Sequence, residues 1–417
     1  MAVCHKKLTR KKTNLPVFIS ILIILVTWTG FGIKARTYAR EESTGEYGFS
    51  QDLQEEILED QVNSDEIRQL TKYIEEYSAS RMADIFGRYG PGEMIRDALK
   101  GELKLNIAEI IKKCMDYFLQ EIYLNLHVLL SLVVLVVLCA LLKNLQASFL
   151  SESVGEIAFF ACYMVGVSLM VIGFKEVSAL GLDVIENMVG FMYATVPVMI
   201  ALLVSGGNIV SGGMFKPVLI MTVELAATLV KNVFVPLVFL STILSITNNV
   251  SSKVSLSRLA GLIKKTATIT IGIILTVFIG FITVQGSINA IADGVASKTV
   301  KYAIGTFIPV VGSYLSDAAD MVIGCSLLVK NAAGVIVLLV LIAICLVPVV
   351  KITAVAMLYK ITCALVEPIS DKRITDCIND VSNSIILIIA AVAVVAFMFI
   401  VSVTAVITAG NVSAMVR

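Results

Sequence analysis

Six stretches of almost purely apolar residues recur along this chain: Ile122–Leu142, Ile157–Phe174, Met188–Val204, Ala267–Gln285, Ala332–Val350 and Ser384–Ala409. Each is close to the roughly 20 residues that cross a hydrocarbon core of about 30 Å. Inside a bilayer the backbone must satisfy its own hydrogen bonds, which leaves helices or a closed barrel. The runs are continuous and do not alternate polar with apolar, so they are helices. The expected fold class is all-α, a polytopic helical membrane protein with an exported, mostly helical N-terminal segment. Composition agrees, with 57% hydrophobic and 16% charged residues against about 25% charge in a soluble domain.

The same numbers exclude several functions. A net charge of +1 offers no basic surface for nucleic acid. Eight cysteines show no C-x-x-C spacing, and most lie in or beside apolar runs, where a thiol behaves as a small hydrophobe. His5 and His127 are the only histidines, so neither a metal site nor a cofactor site is expected. No Ser–His–Asp set, Cys–His pair or carboxylate dyad can be assembled, and no catalytic residue is expected.

The N-terminus begins with a basic stretch, MAVCHKKLTRKK, followed by apolar Val17–Trp28 and a small-x-Ala sequence at Thr37-Tyr38-Ala39. Residues 1–39 therefore read as a signal peptide, with an uncleaved anchor running to Ile33 as the alternative. Residues 40–120 form the one long polar region. Between Arg40 and Asp116, eighteen Asp or Glu stand against ten Lys or Arg, which suits the non-cytoplasmic side. Helical spacing of Ile67, Leu70, Ile74 and Tyr77, and again of Leu103, Ile107, Ile110, Ile111 and Cys114, predicts short amphipathic helices.

Residues 121–417 read as a membrane domain of about six to eight spans. Counting inward from an exported N-terminus places the loop after Val204 on the cytoplasmic side. The segment Asn248–Lys265 carries Lys253, Arg258, Lys264 and Lys265 and no acid, which also makes it cytoplasmic. The intervening run Pro217–Thr247 is then expected to turn back near Lys231-Asn232, giving a broken or re-entrant segment over 205–247. Over 286–330 the pattern is amphipathic. Ile288, Ile291, Val295 and Tyr302 share one side and Asp293 with its polar neighbours the other, which suits an interfacial helix.

Within the broken segment, SGGNIVSGGMFKP at Ser205–Pro217 resembles a phosphate loop only superficially. Gly207 and Gly212 have the right separation, but Gly213 stands where the lysine should be, and Lys216 is followed by Pro217. The stretch reads as a membrane break. Gly206, Gly207, Gly212 and Gly213 are its candidate pore or packing residues, with Pro309 and Gly312 in a second break; a plain interfacial loop is the alternative. Val196-Pro197-Val198 and Ile308-Pro309-Val310 each precede a Leu-Val-Lys-Asn string, at Leu229–Asn232 and Leu328–Asn331, a pattern compatible with an internal repeat. Glu224 and Lys231, seven residues apart, are candidate intramembrane charges. They are read either as a relay or as groups snorkelling to an interface.

Several strings carry a family resemblance: SGGNIVSGG at Ser205–Gly213, PLVFLSTILSI at Pro236–Ile246, VFIGFITVQG at Val277–Gly286, FIPVVGSYLSDAADMVIGCSLLVKNAAG at Phe307–Gly334, and ITAGN at Ile407–Asn411. Over Leu103–Arg417 the chain resembles stage III sporulation protein AE of endospore-forming bacteria. The resemblance implies a non-enzymatic, multi-pass protein of the mother-cell membrane around the forespore. It would work with the other stage III sporulation A proteins and the forespore Q protein in a channel or secretion-like complex that maintains the forespore and permits late forespore gene expression. Membrane lipid is a further partner, and homo-oligomerisation stays open. A stand-alone secondary transporter and a passive scaffold for ring-forming partners are the alternative functions.

Overall fold

The computed structural model describes residues 56–86, 90–100, 103, 106–149, 152–250, 256–307 and 312–416. The signal peptide read over residues 1–39 and Pro309 of the second break lie outside the described residues. Every element described is helical. The amphipathic region supplies α1 (Asp65–Phe86), α2 (Pro91–Lys100) and α3 (Ile107–Leu124). Then come α4 (Leu126–Phe149), α5 (Glu152–Ser205) and α6 (Ile209–Leu229). A π-helical turn at Val230–Phe234 leads into α7 (Val235–Val250), followed by α8 (Ser257–Phe307), α9 (Gly312–Val366) and α10 (Lys372–Val416).

Among the described residues six helical segments are long and apolar enough to cross a membrane: Leu126–Asn144, Ile157–Ser205, Ile209–Asn249, Ser257–Ala296, Met321–Val366 and Lys372–Ala409. The chain is thus an all-α polytopic membrane protein. α5, α9 and α10 form its centre. Their inward faces are buried, as at Phe191 and Met192 of α5, Val337 and Leu341 of α9, and Val392 and Phe399 of α10. Polar side chains tie helix to helix: Thr242 Oγ1 donates to Ser384 Oγ at 2.7 Å, and Ser382 Oγ to the Ala356 carbonyl at 3.1 Å. Buried Lys330 donates to the Ile407 carbonyl at 2.9 Å. In lipid such bonds, with close packing at small residues, hold helices together. Close packing occurs at Gly166 and Gly173, where an added Cβ would lie 2.7 Å from Leu135 and 2.4 Å from the Tyr359 hydroxyl. Gly272 and Gly280, although similarly spaced, face open space.

Three sequence expectations change. Ile157–Phe174 and Met188–Val204 are halves of one 54-residue helix, α5, which passes through Pro197. At 1.5 Å per residue it is about 80 Å long, and a continuous helix cannot double back. The exposed residues Lys175, Glu176, Asp183 and Glu186 between the halves suggested a loop, but they lie on its outer side. Second, the turn expected near Lys231-Asn232 is a π-helical turn through which the chain continues in the same direction, Val230 and Val235 both keeping right-handed helical backbone. Third, the amphipathic stretch 286–330 is not a separate interfacial helix: its first part ends α8 and its second begins α9.

The N-terminal helices lie along the bundle. α1 packs against α5 and α9, with Tyr77 edge-on to Phe191 at a centroid separation of 6.3 Å. Gln61, just before α1, donates to Ser326 Oγ of α9 at 2.8 Å. α3 begins at Asn106, whose side chain accepts the Glu109 N–H, and ends at Asn125. It buries no residue, and Ile107, Ile111, Met115 and Leu119 form an exposed apolar row one turn apart.

Candidate functional site

The glycine stretch resolves into a tight reversal between α5 and α6. The Asn208 N–H bonds to the Leu203 carbonyl at 3.3 Å and the Gly207 N–H to the Val204 carbonyl at 2.9 Å. This is the pair of bonds of a Schellman C-terminus, which needs a left-handed residue between them. Gly207 fills that place with φ 76°. Asn208 then starts α6, and its own carbonyl accepts the first helical bond, from the Gly212 N–H at 3.0 Å.

The two helices leave this turn in close contact. A Cβ on Gly212 would lie 2.3 Å from a methyl of Val204, and one on Gly206 would lie 3.1 Å from Leu327 of α9. Gly213 faces open space. The four candidate glycines therefore have different roles: two shape or cover the turn, one permits the approach of α6 to α5, and one is unconstrained. Gly312 is the first residue of α9.

Asn208 stands at the N-cap of α6 but makes no side-chain cap bond. Asp293 of α8 caps α6 instead. Its Oδ1 accepts the Val210 N–H at 3.0 Å and the Ser211 N–H at 3.1 Å. These are orphan donors of the first helical turn, and a carboxylate there also meets the positive end of the helix dipole. One turn apart on the same side of α8 stand Gln285, Asn289 and Asp293, which are 8%, 0% and 1% exposed. Gln285 Nε2 donates to the Met214 carbonyl at 3.2 Å, so this row lies along the start of α6.

Asp293 reverses the sequence expectation that its side of the helix faces water. The apolar side, with Ile288, Ile291, Val295 and Tyr302, is the exposed one, as lipid contact requires. A polar residue recurring every fourth position in Gln285, Asn289 and Asp293 was the available signal.

Glu224 and Lys231 do not meet each other. The Tyr193 hydroxyl of α5 donates to the Glu224 carboxylate, and Lys231 pairs with Glu186 of α5. Glu224 is exposed, and the Lys231 and Glu186 side chains are 56% and 57% exposed. Both contacts lie on the outside of the bundle and fasten α6 and the π-helical turn laterally to α5. The related string Leu328–Asn331 sits in regular helix with Lys330 buried, so the two Leu-Val-Lys-Asn strings occupy unlike environments.

A family model described as stage III sporulation protein AE matches residues 89–410, a range that includes the turn and the polar row of α8. Stage III sporulation protein AE of Bacillus subtilis (strain 168) is 34% identical to this chain over 323 residues, which are 78% of this chain and 81% of that protein. No solved structure matches.

Proposed function

The chain belongs to the stage III sporulation protein AE family, and from that premise we propose that it is a non-enzymatic subunit of a channel or secretion-like complex between mother cell and forespore. The family match carries the reading, and it makes the chain a sporulation protein of the membrane. The mother-cell membrane around the forespore is its proposed location. The other stage III sporulation A proteins and the forespore Q protein are its proposed partners.

Two features support a subunit over an autonomous pore. The space between α5, α6 and α10 is a small cleft lined by Met192, Met199, Leu219 and Val403 among others, an apolar lining unsuited to water. Meanwhile α8 exposes Ile269, Ile273, Val277, Phe281, Val284 and Ile288, a long apolar face available to lipid or to neighbouring subunits. A stand-alone transporter is the second reading. It is favoured by the buried Asp293 of α8, because ionisable groups buried within membrane helices mark ion and substrate pathways.

Crosslinking followed by pull-down of the tagged protein from sporulating cells tests the complex. The companion sporulation proteins should be recovered with it. Recovery of the chain alone, together with solute flux in proteoliposomes containing only this protein, would overturn the subunit reading in favour of the transporter.

A further inference from the structure

Behind the turn lies a set of buried polar atoms without partners. Asn289 is fully buried, and neither its Nδ2 nor its Oδ1 has a hydrogen-bond partner. The same holds for Oδ2 of Asp293, Oε1 of Gln285, Oδ1 of Asn208 and the Ser211 hydroxyl. Buried polar atoms are nearly always paired, and each unpaired one is destabilising. Those of Asn208, Ser211, Asn289 and Asp293 lie about the start of α6, and Gln285 stands two turns along α8 from Asp293. The α8 row is held against the start of α6 by the Asp293 and Gln285 bonds described above. Asn208 and Ser211 bracket the same N-terminus, both 0% exposed. Because Asp293 caps α6, the oxygen of Asn208 that would ordinarily do so is left over.

We propose that this cluster is a binding site for a monovalent cation of sodium's size. The unpartnered atoms about the start of α6 include four oxygens, of the hard type that alkali cations prefer: Asn208 Oδ1, Ser211 Oγ, Asn289 Oδ1 and Asp293 Oδ2. Asp293 is the one carboxylate among them. Among the described residues no ion pair joins it to a lysine or arginine, and no three His, Cys, Asp or Glu side chains gather anywhere to hold a metal ion. One negative charge with neutral amides and a hydroxyl balances a single positive charge. A divalent ion would leave one charge uncompensated in a low-dielectric interior. Oδ1 of Asp293 is already occupied by the α6 N–H groups, and Oδ2 remains for the ion. Bound there, the cation would link α8 to the α5–α6 turn.

The site needs no partner protein, so it is tested on the purified full-length chain in detergent. Binding of radioactive sodium should reach about one per chain, competed by unlabelled sodium and not by choline. Saturating sodium should raise the unfolding midpoint by about 3 °C or more over choline at equal ionic strength. Asp293→Asn keeps an oxygen that can cap α6 but loses the charge, and should weaken sodium binding by at least about tenfold. Asn289→Ala should weaken it as well, while Glu224→Gln, on the outer surface, should not. A wild-type protein indifferent to sodium would sink the proposal whatever the variants do, and would assign the cluster to buried water. A midpoint that moves with pH and not with sodium would assign it to a proton. Sodium binding that survives in folded Asp293→Asn would also overturn it. None of these outcomes bears on whether the chain joins a complex.

Discussion

Gly207 is the residue at which backbone conformation decides most. Its φ of 76° lies where a β-branched residue is strained by on the order of 1–3 kcal/mol, so Gly207→Val should lower stability by about that amount. Gly212→Val should cost a similar amount, for a different reason: the new side chain meets Val204 at a distance no real Cβ tolerates, and overpacking costs about 1–3 kcal/mol. Gly213→Val has open space and should change stability by less than about 0.5 kcal/mol. Thermal unfolding of the purified variants checks the order, and sporulation efficiency should follow it. Lys216→Gln should leave both unchanged, because Lys216 is exposed on α6 and the glycines build a helix reversal. An essential Lys216 with tolerant glycines would restore an anion-binding loop. The glycine pattern was legible in the sequence as a break. The difference between Gly212 and Gly213 was not, since it depends on which side of α6 meets Val204.

At the scale of elements, one helix end joins two distant parts of the chain. Asp371 precedes α10 and accepts the Arg373 N–H at 2.9 Å, a cap of the kind expected of Asp. Its other oxygen accepts from Lys143 at the end of α4, which ties two helices that are far apart in sequence. Burial alone pushes the Asp371 carboxyl up. The Lys143 and Arg373 hydrogen bonds and the charges of both residues outweigh it and hold the carboxyl below its ordinary 3.8. A carboxyl whose folded pKa is depressed adds stability above its unfolded pKa and loses it as pH falls through the folded value. Asp371→Asn should therefore be less stable than the wild type at neutral pH, by up to about 1 kcal/mol given that Lys143 is 57% exposed. The gap should close only below about pH 4. Unfolding midpoints measured from pH 3 to pH 7 test this, and a gap that does not change with pH would leave only the cap. Interior breaks were harder to read. Lys231-Asn232 looks like a turn because polar residues interrupt an apolar run. In the fold Lys231 pairs with Glu186 on a neighbouring helix, a tertiary partner that no local pattern announces.

For the whole molecule, two misread elements have compensating consequences. Splitting α5 at Lys175–Asn187 adds one crossing before the glycine turn, and a hairpin at Lys231-Asn232 adds one after it. With both removed, the basic segment Asn248–Lys265 keeps its cytoplasmic assignment, and the glycine turn moves to the opposite face. The all-α membrane class was thus readable from the apolar runs, while the side of the turn depended on helix continuity, which charge and hydropathy do not report. The N-terminal helices give an independent check. Gln61 bonds to Ser326, and the adjacent Leu327 lies closest to Gly206, so the start of α1 and the glycine turn share one end of the bundle. An exported acidic segment then requires an exported turn. In a background without native cysteines, Glu66→Cys and Ile209→Cys should react with a membrane-impermeant thiol reagent from outside. Ser257→Cys, at the start of α8, should react only after the cytoplasmic face is opened. All three positions are exposed on the protein, and labelling of each thiol in detergent-solubilised protein separates sidedness from cover by lipid. Labelling of Ile209→Cys and Ser257→Cys from the same face would mean that α6, the π-helical turn and α7 do not cross as one helix, and the hairpin at Lys231-Asn232 would have to be restored.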